Sequence, residues 1–239
     1  MGFGGQVERW RPIVVQLAGD LPVNLVLAII WHESRGQAGA IGAGKTACAI
    51  LPSSSGARQV CHALGLMQVV PRNVVAWNQT HVYKAGYNDM TGRTNAAAGV
   101  QIRLGVWVLK NAFAWLALKY GFPWPGGRLE AEQIKIGLMV YAWGQGHMKP
   151  YLDTLAADQV PITSAEISTR WPELGKPKNQ PLMYSKTVFN QAFGPGLSPT
   201  TGPKPQPKII KPDSGSWVIL PIVAMAAWAM TRKKWDFNS

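Results

Sequence analysis

Residues 25–34 read Leu25-Val26-Leu27-Ala28-Ile29-Ile30-Trp31-His32-Glu33-Ser34: seven apolar side chains in succession, then a histidine, a carboxylate and a hydroxyl. An uninterrupted apolar run of this kind is buried all round if it is a helix. Just upstream, Gln16, Asp20, Pro22 and Asn24 interrupt the apolar character of residues 13–31, which argues against a membrane span there. The stretch reads as two core helices joined at Gly19-Asp20, with Asp20 able to cap the second and Pro22 in its first turn. Glu33 is the only acidic residue between Asp20 and Asp89. At the end of a buried helix a carboxyl loses hydration and meets the partial negative charge of the helix C-terminus, and both effects raise its pKa. A carboxyl held neutral near pH 7 can serve as a general acid. From position alone, a solvated glutamate at a frayed helix end is the other reading.

The rest of the body is also helical in pattern. Residues 95–120 carry Val100, Leu104, Trp107, Val108, Trp115 and Leu118 at helical intervals, with Gly121 as a natural stop. Residues 129–143 place Ile134, Leu138, Tyr141 and Ala142 on one face. No stretch alternates as a strand would, so an all-α domain is expected over residues 1–194. The 239 residues are 47% hydrophobic and 15% charged, ample for a core, and the net charge of +12 suggests an anionic partner. The basic residues form no stripe interleaved with aromatics, so nucleic acid is not expected.

Beyond this domain the composition changes. Residues 195–213 are rich in Pro, Gly and Lys and read as an extended linker. Residues 214–231 hold no charge, with Trp217 and Trp228 near the ends, and read as a single transmembrane helix. Residues 232–239 form a basic tail that begins Arg232-Lys233-Lys234. The first eleven residues contain Glu8 and no basic region followed by an apolar stretch, so a cleavable secretory signal is not expected.

Three further motifs follow Glu33-Ser34 in order. They are Ala63-Leu64-Gly65-Leu66-Met67-Gln68-Val69-Val70-Pro71, Asn95-Ala96-Ala97-Ala98-Gly99, and Val140-Tyr141-Ala142-Trp143-Gly144-Gln145-Gly146. Together with Tyr184 and Val188, and across about residues 10–190, they resemble the soluble-type lytic transglycosylase (SLT) family, to which goose-type lysozyme is related. The resemblance implies a lysozyme-like α fold and cleavage of the MurNAc–GlcNAc β-1,4 bond of peptidoglycan with a 1,6-anhydromuramoyl product. It implies that Glu33 is the catalytic acid and then base, and that Ser34, Gln68 and Tyr141 orient sugar and carboxyl. Met67 would shape the cleft floor, and Tyr184 is a further substrate-binding candidate. No cofactor and no metal are implied. The partner would be peptidoglycan glycan strands, with membrane contact through 214–231 and other virion or envelope-machine proteins as further candidates. Location would be membrane-anchored, in a virion with an internal membrane or in the bacterial cell envelope.

Two departures from the family pattern stand out. Ala142 occupies a place where the family commonly has Asn. In addition, 32 positions separate Glu33 from Gly65, which points to an insertion at about residues 36–60, rich in Gly, Ala and Ser and expected as a loop over or beside the cleft. That insertion contains Gly39-Ala40-Ile41-Gly42-Ala43-Gly44-Lys45-Thr46, a match to the phosphate-binding GxxxxGK[ST] pattern. The pattern binds nucleotide only between a strand and a helix, and here it follows a helix. Cys48 and Cys61 bracket the region and are either bonded or free thiols. Two other functions remain as alternatives: a catalytically weak assembly component that binds glycan, and a hydrolytic lysozyme. The hydrolase needs a second carboxylate to activate water, and Asp89 is its candidate.

Overall fold

In a computed structural model of the chain, residues 3–122, 130–175 and 181–194 are described here, all within the first of two units, Met1–Gly202; the second, Pro203–Ser239, lies outside the described residues. The centre of the first unit is the apolar run. It forms α3 (Val23–Ser34), in which Leu25 to Ile30 are without exception fully buried. Helix α1 (Gly5–Glu8) and α2 (Arg11–Leu17) precede it. The helix break falls as expected, but Pro22 occupies the N-cap of α3 with no side-chain cap, and Asp20 instead pairs with Lys110 at 2.6 Å. After α3 come strands β1 (Ile41–Ser53) and β2 (Gly56–Leu64), then α4 (Pro71–Thr80) and α5 (Tyr87–Thr91). The long α6 (Asn95–Tyr120) follows, then α7 (Ala131–Trp143), α8 (Gln145–Ala157), α9 (Ser164–Arg170), a 3-10 turn at Pro172–Gly175 and α10 (Pro181–Phe193).

The two helices read most clearly from spacing stand where the pattern puts them. Thr94 caps α6 by accepting from the Ala97 N–H, and Gly121 ends it with φ of 70°. Helix α10 packs on both α3 and α7, and α7 packs on α6. One apolar cluster surrounds α3; a second lies beneath α7, α8 and α9.

The all-α expectation is corrected. Residues 41–64 form a two-stranded antiparallel hairpin, with Ile41 opposite Leu64 and Ser53 opposite Gly56. Its physical support explains why no alternation announced it. In these two strands only Leu51, Val60 and Leu64 are buried. The hairpin is held by its main-chain ladder and by a disulfide between Cys48 and Cys61, which closes a loop with a sequence separation of 13. Closing a loop of that size is worth about 3 kcal/mol by chain entropy. The Gly39–Thr46 pattern runs into β1 and no helix follows it directly, so its phosphate-binding context is missing.

The expected transmembrane helix is corrected as well. Among the described residues no helix is long and apolar enough to cross a membrane. Helix α6 has 26 residues but carries Arg103, Lys110 and Lys119. Residues 214–231, where the span was expected, lie outside the described residues.

One buried polar side chain joins these parts. Gln101 of α6 is fully buried, and its amide makes four bonds to main chain. Its Oε1 accepts from the N–H groups of Gly39 at 3.2 Å and Leu66 at 3.0 Å. Its Nε2 donates to the carbonyls of Asp89 at 2.9 Å and Gly92 at 2.8 Å. The near-isosteric Gln101→Met leaves those four groups without their partner. It is expected to lower stability by about 3 kcal/mol or more in chemical denaturation, far beyond a volume-conserving apolar exchange.

Candidate active site

The site is assembled around the last turn of α3. Its C-terminus ends in a left-handed residue, Arg35 with φ of 55°, whose guanidinium lies 3.8 Å from the centre of the Trp31 ring. Facing that turn is the loop from Leu64 to Val69, closed on itself by two main-chain bonds: Leu64 N–H to the Val69 carbonyl at 3.0 Å, and Val69 N–H to the Leu64 carbonyl at 2.9 Å. So tight a turn needs backbone that bends the unusual way, and Gly65 (φ 78°) and Gln68 (φ 46°) supply it. At Gly65 any side chain would also collide with Gln101, whose Cγ would stand 2.8 Å from a Cβ.

The side chains expected to grip substrate are largely occupied in holding this turn. The Ser34 hydroxyl is buried and shares its proton between the carbonyls of Leu66 at 2.9 Å and Ile30 at 3.1 Å. The Tyr141 hydroxyl of α7 donates to the Met67 carbonyl at 2.6 Å. The Gln68 amide donates to the carbonyls of Gly65 at 2.9 Å and Ala40 at 3.3 Å, which ties the turn to the base of the hairpin. Met67 is fully buried. It packs on α6 where Gly105 leaves room for it: a Cβ at Gly105 would stand 2.6 Å from the Cβ of Met67. Gln101, whose role spacing alone did not signal, binds the same turn from beneath through Leu66. A glutamine in an otherwise apolar helix stripe is the trace it leaves in the sequence.

Glu33 faces two tyrosines. Burial raises its carboxyl from the ordinary 4.5 to about 7, with the hydroxyl of Tyr184 pulling the other way. Burial and the nearby Glu33 charge push the phenols of Tyr141 and Tyr184 upward. The Tyr184 hydroxyl is buried beside Glu33 yet makes no hydrogen bond of good geometry among the described residues. The ring of His32 meets Tyr184 edge-on at 4.7 Å, and its Nδ1 is likewise buried without a hydrogen-bond partner among the described residues. Burial and then the charge of Arg35 lower the His32 pKa, which keeps the imidazole neutral near pH 7. The structure thus brings Glu33, Tyr141 and Tyr184 together from three helices.

The Transglycosylase SLT domain profile matches residues 14–114. Over those residues the chain is similar to the SLT transglycosylase domain family. The match spans Glu33, the turn at Gly65–Gln68 and Gln101, and it ends inside α6. The SLT domain is a lytic transglycosylase domain, a lyase that acts on the glycan strands of peptidoglycan. Among curated proteins and among solved structures, no match to the chain is found. Tyr141 and Tyr184 come to Glu33 from helices beyond the matched stretch.

Because the Tyr184 hydroxyl lowers the Glu33 pKa, Tyr184→Phe should move it above the wild-type value of about 7, read by carbon-13 NMR of the carboxyl. An acid whose pKa is higher folded than unfolded favours the folded state most at low pH, and that advantage is lost as pH rises to the folded value. Wild type is expected to lose about 3 kcal/mol relative to Glu33→Gln. The loss falls between pH 4.5 and about pH 7 in denaturation measured across that window.

Proposed function

We propose that Glu33 is the single acid–base group of a peptidoglycan lytic transglycosylase that leaves 1,6-anhydromuramoyl ends. The observation that carries this reading is the carboxyl itself: desolvated at the end of α3, raised to about 7, and faced by the hydroxyls of Tyr141 and Tyr184. At neutral pH a large share of such a group is protonated, and it can donate to the glycosidic oxygen of the leaving GlcNAc. As the C1–O bond breaks, the ionised Glu33 takes the proton of the muramoyl 6-hydroxyl. The O6 atom then bonds to C1 and closes the anhydro ring. No water enters, and the carboxyl returns to its starting form.

A hydrolytic outcome needs a second carboxylate. Asp89, the candidate for that role, has both oxygens engaged in its own loop. One accepts from the Gly86 N–H at 2.7 Å and the other from the Tyr83 hydroxyl at 2.9 Å. That arrangement favours the one-acid scheme. The reading carries with it local opening of the bacterial cell wall as the role, with the envelope as the place of action. The positive charge of +12 assists approach to an anionic wall.

Mass spectrometry of the soluble products from purified peptidoglycan tests both the reaction and its acid. Wild type is expected to release anhydromuropeptides, and Glu33→Gln to release them at least about a hundredfold more slowly. Reducing-end products from wild type would assign hydrolysis instead. Activity is expected to fall as pH rises through about 7, where Glu33 loses its proton.

A further inference from the structure

Immediately after Tyr141 the chain leaves the candidate site and builds a row of aromatic rings. Trp143 ends α7; its ring lies 5.5 Å from that of His147 and 6.0 Å from that of Tyr151, with planes inclined by only 26° and 24°. Tyr151 meets Trp171, just after α9, at 5.0 Å and edge-on. His147 and Tyr151 stand one helical turn apart on the same face of α8. His147 is exposed, and Trp143, Tyr151 and Trp171 are half-buried. The last three rest on the apolar cluster beneath α8 and α9, which holds their rings in place. The start of the row is open. Ala142 is exposed, and among the described residues a Cβ at Gly144 or Gly146 would meet no atom within 4 Å.

A row of fixed, partly exposed rings, of similar tilt from Trp143 to His147 and Tyr151 and turned edge-on at Trp171, suits a ligand that offers flat apolar faces in sequence and polar edges to water. A chain of pyranose rings has that form: the C–H faces stack on aromatics while the hydroxyls remain hydrated. A protein partner that covered this patch would bury the exposed imidazole and the polar glycine turn beside it. Two residues of helix, about 200° of rotation, separate Tyr141 from Trp143, so the row faces away from Glu33 and is a separate surface.

We propose that Trp143, His147, Tyr151 and Trp171 form a glycan-binding track outside the candidate active site, which holds a neighbouring stretch of the polymer by ring stacking. The proposal rests on the SLT assignment for the identity of the polymer. It does not rest on Glu33 being the acid.

The test is co-sedimentation of the full chain, carrying Glu33→Gln, with insoluble peptidoglycan. Adding Trp143→Leu and Tyr151→Leu is expected to weaken retention about tenfold, as loss of aromatic anchors does elsewhere. Adding Val82→Ser at a fully exposed site should leave retention unchanged. Circular dichroism establishes that each variant is folded. If the double variant is not, the exposed His147→Ala and indole NMR decide. The Trp143 and Trp171 indole resonances, assigned by single replacement, are expected to shift when soluble glycan fragments are added. Unchanged retention in the folded double variant overturns the track, as do indole resonances that do not move. So does a loss of self-association without loss of retention, which would mark the row as a protein interface. Absence of anhydromuropeptides from wild type would overturn the proposed reaction and leave the retention measurement intact.

Discussion

The four bonds of the Gln101 amide are the constraint on which the rest of the site depends. A hairpin, a tight turn and a short helix each bring main-chain groups into the interior beside α6, where water is not at hand to satisfy them. A glutamine presents two donors and an acceptor with two lone pairs on one rigid plane, and here all four valences meet main chain. The carbonyls of the Leu64–Val69 turn are then taken by Ser34, Tyr141 and Gln68. The turn is therefore fastened to α3, to α6, to α7 and to the base of the hairpin. These bonds fix its position beside Glu33, together with the burial of Leu64, Leu66, Met67 and Val69.

This division of labour changes the meaning of several motif residues. Ser34, Gln68 and Tyr141 use their polar atoms, in this structure, on the scaffold that surrounds the carboxyl. Tyr184 differs: its hydroxyl is buried next to Glu33 and, among the described residues, lacks a hydrogen bond of good geometry. It is thus the polar group best placed to respond when the carboxyl gains or loses its proton. The electrostatics of Glu33 are set by burial first, and the tyrosine opposes that shift. Raising a carboxyl by desolvation in this way needs no second charged residue, which agrees with the scarcity of acidic groups in this half of the chain.

The hairpin shows how an extended element can form without a hydrophobic signature. A strand that buries one face must alternate, and that alternation is what can be seen in sequence. Here few side chains on either strand are buried, and the ladder and the Cys48–Cys61 bond take the place of a packed face. The hairpin is nonetheless anchored, since Gly39 and Ala40 at its base bond to Gln101, Gly65 and Gln68.

Much of the fold was legible from the residues alone. The apolar run at Leu25–Trp31 read as a buried helix, spacing placed α6 and α7, and the solitary Glu33 stood out as a carboxyl at a buried helix end. These signals are local: each depends on which side chains one helix must hide, and periodicity records that directly. The motif order also identified the family whose profile matches residues 14–114. Only the tertiary structure decided that the Gly- and Ala-rich insertion is a disulfide-linked hairpin, that Asp20 pairs with Lys110 instead of capping a helix, and that Gln101 binds four separate main-chain groups. It also decided the environment of Glu33, which is buried and stands near Tyr141 and Tyr184, more than a hundred residues away in the chain. Contacts of that range leave no period in the sequence, because each is made once, by one residue, across a packed interior.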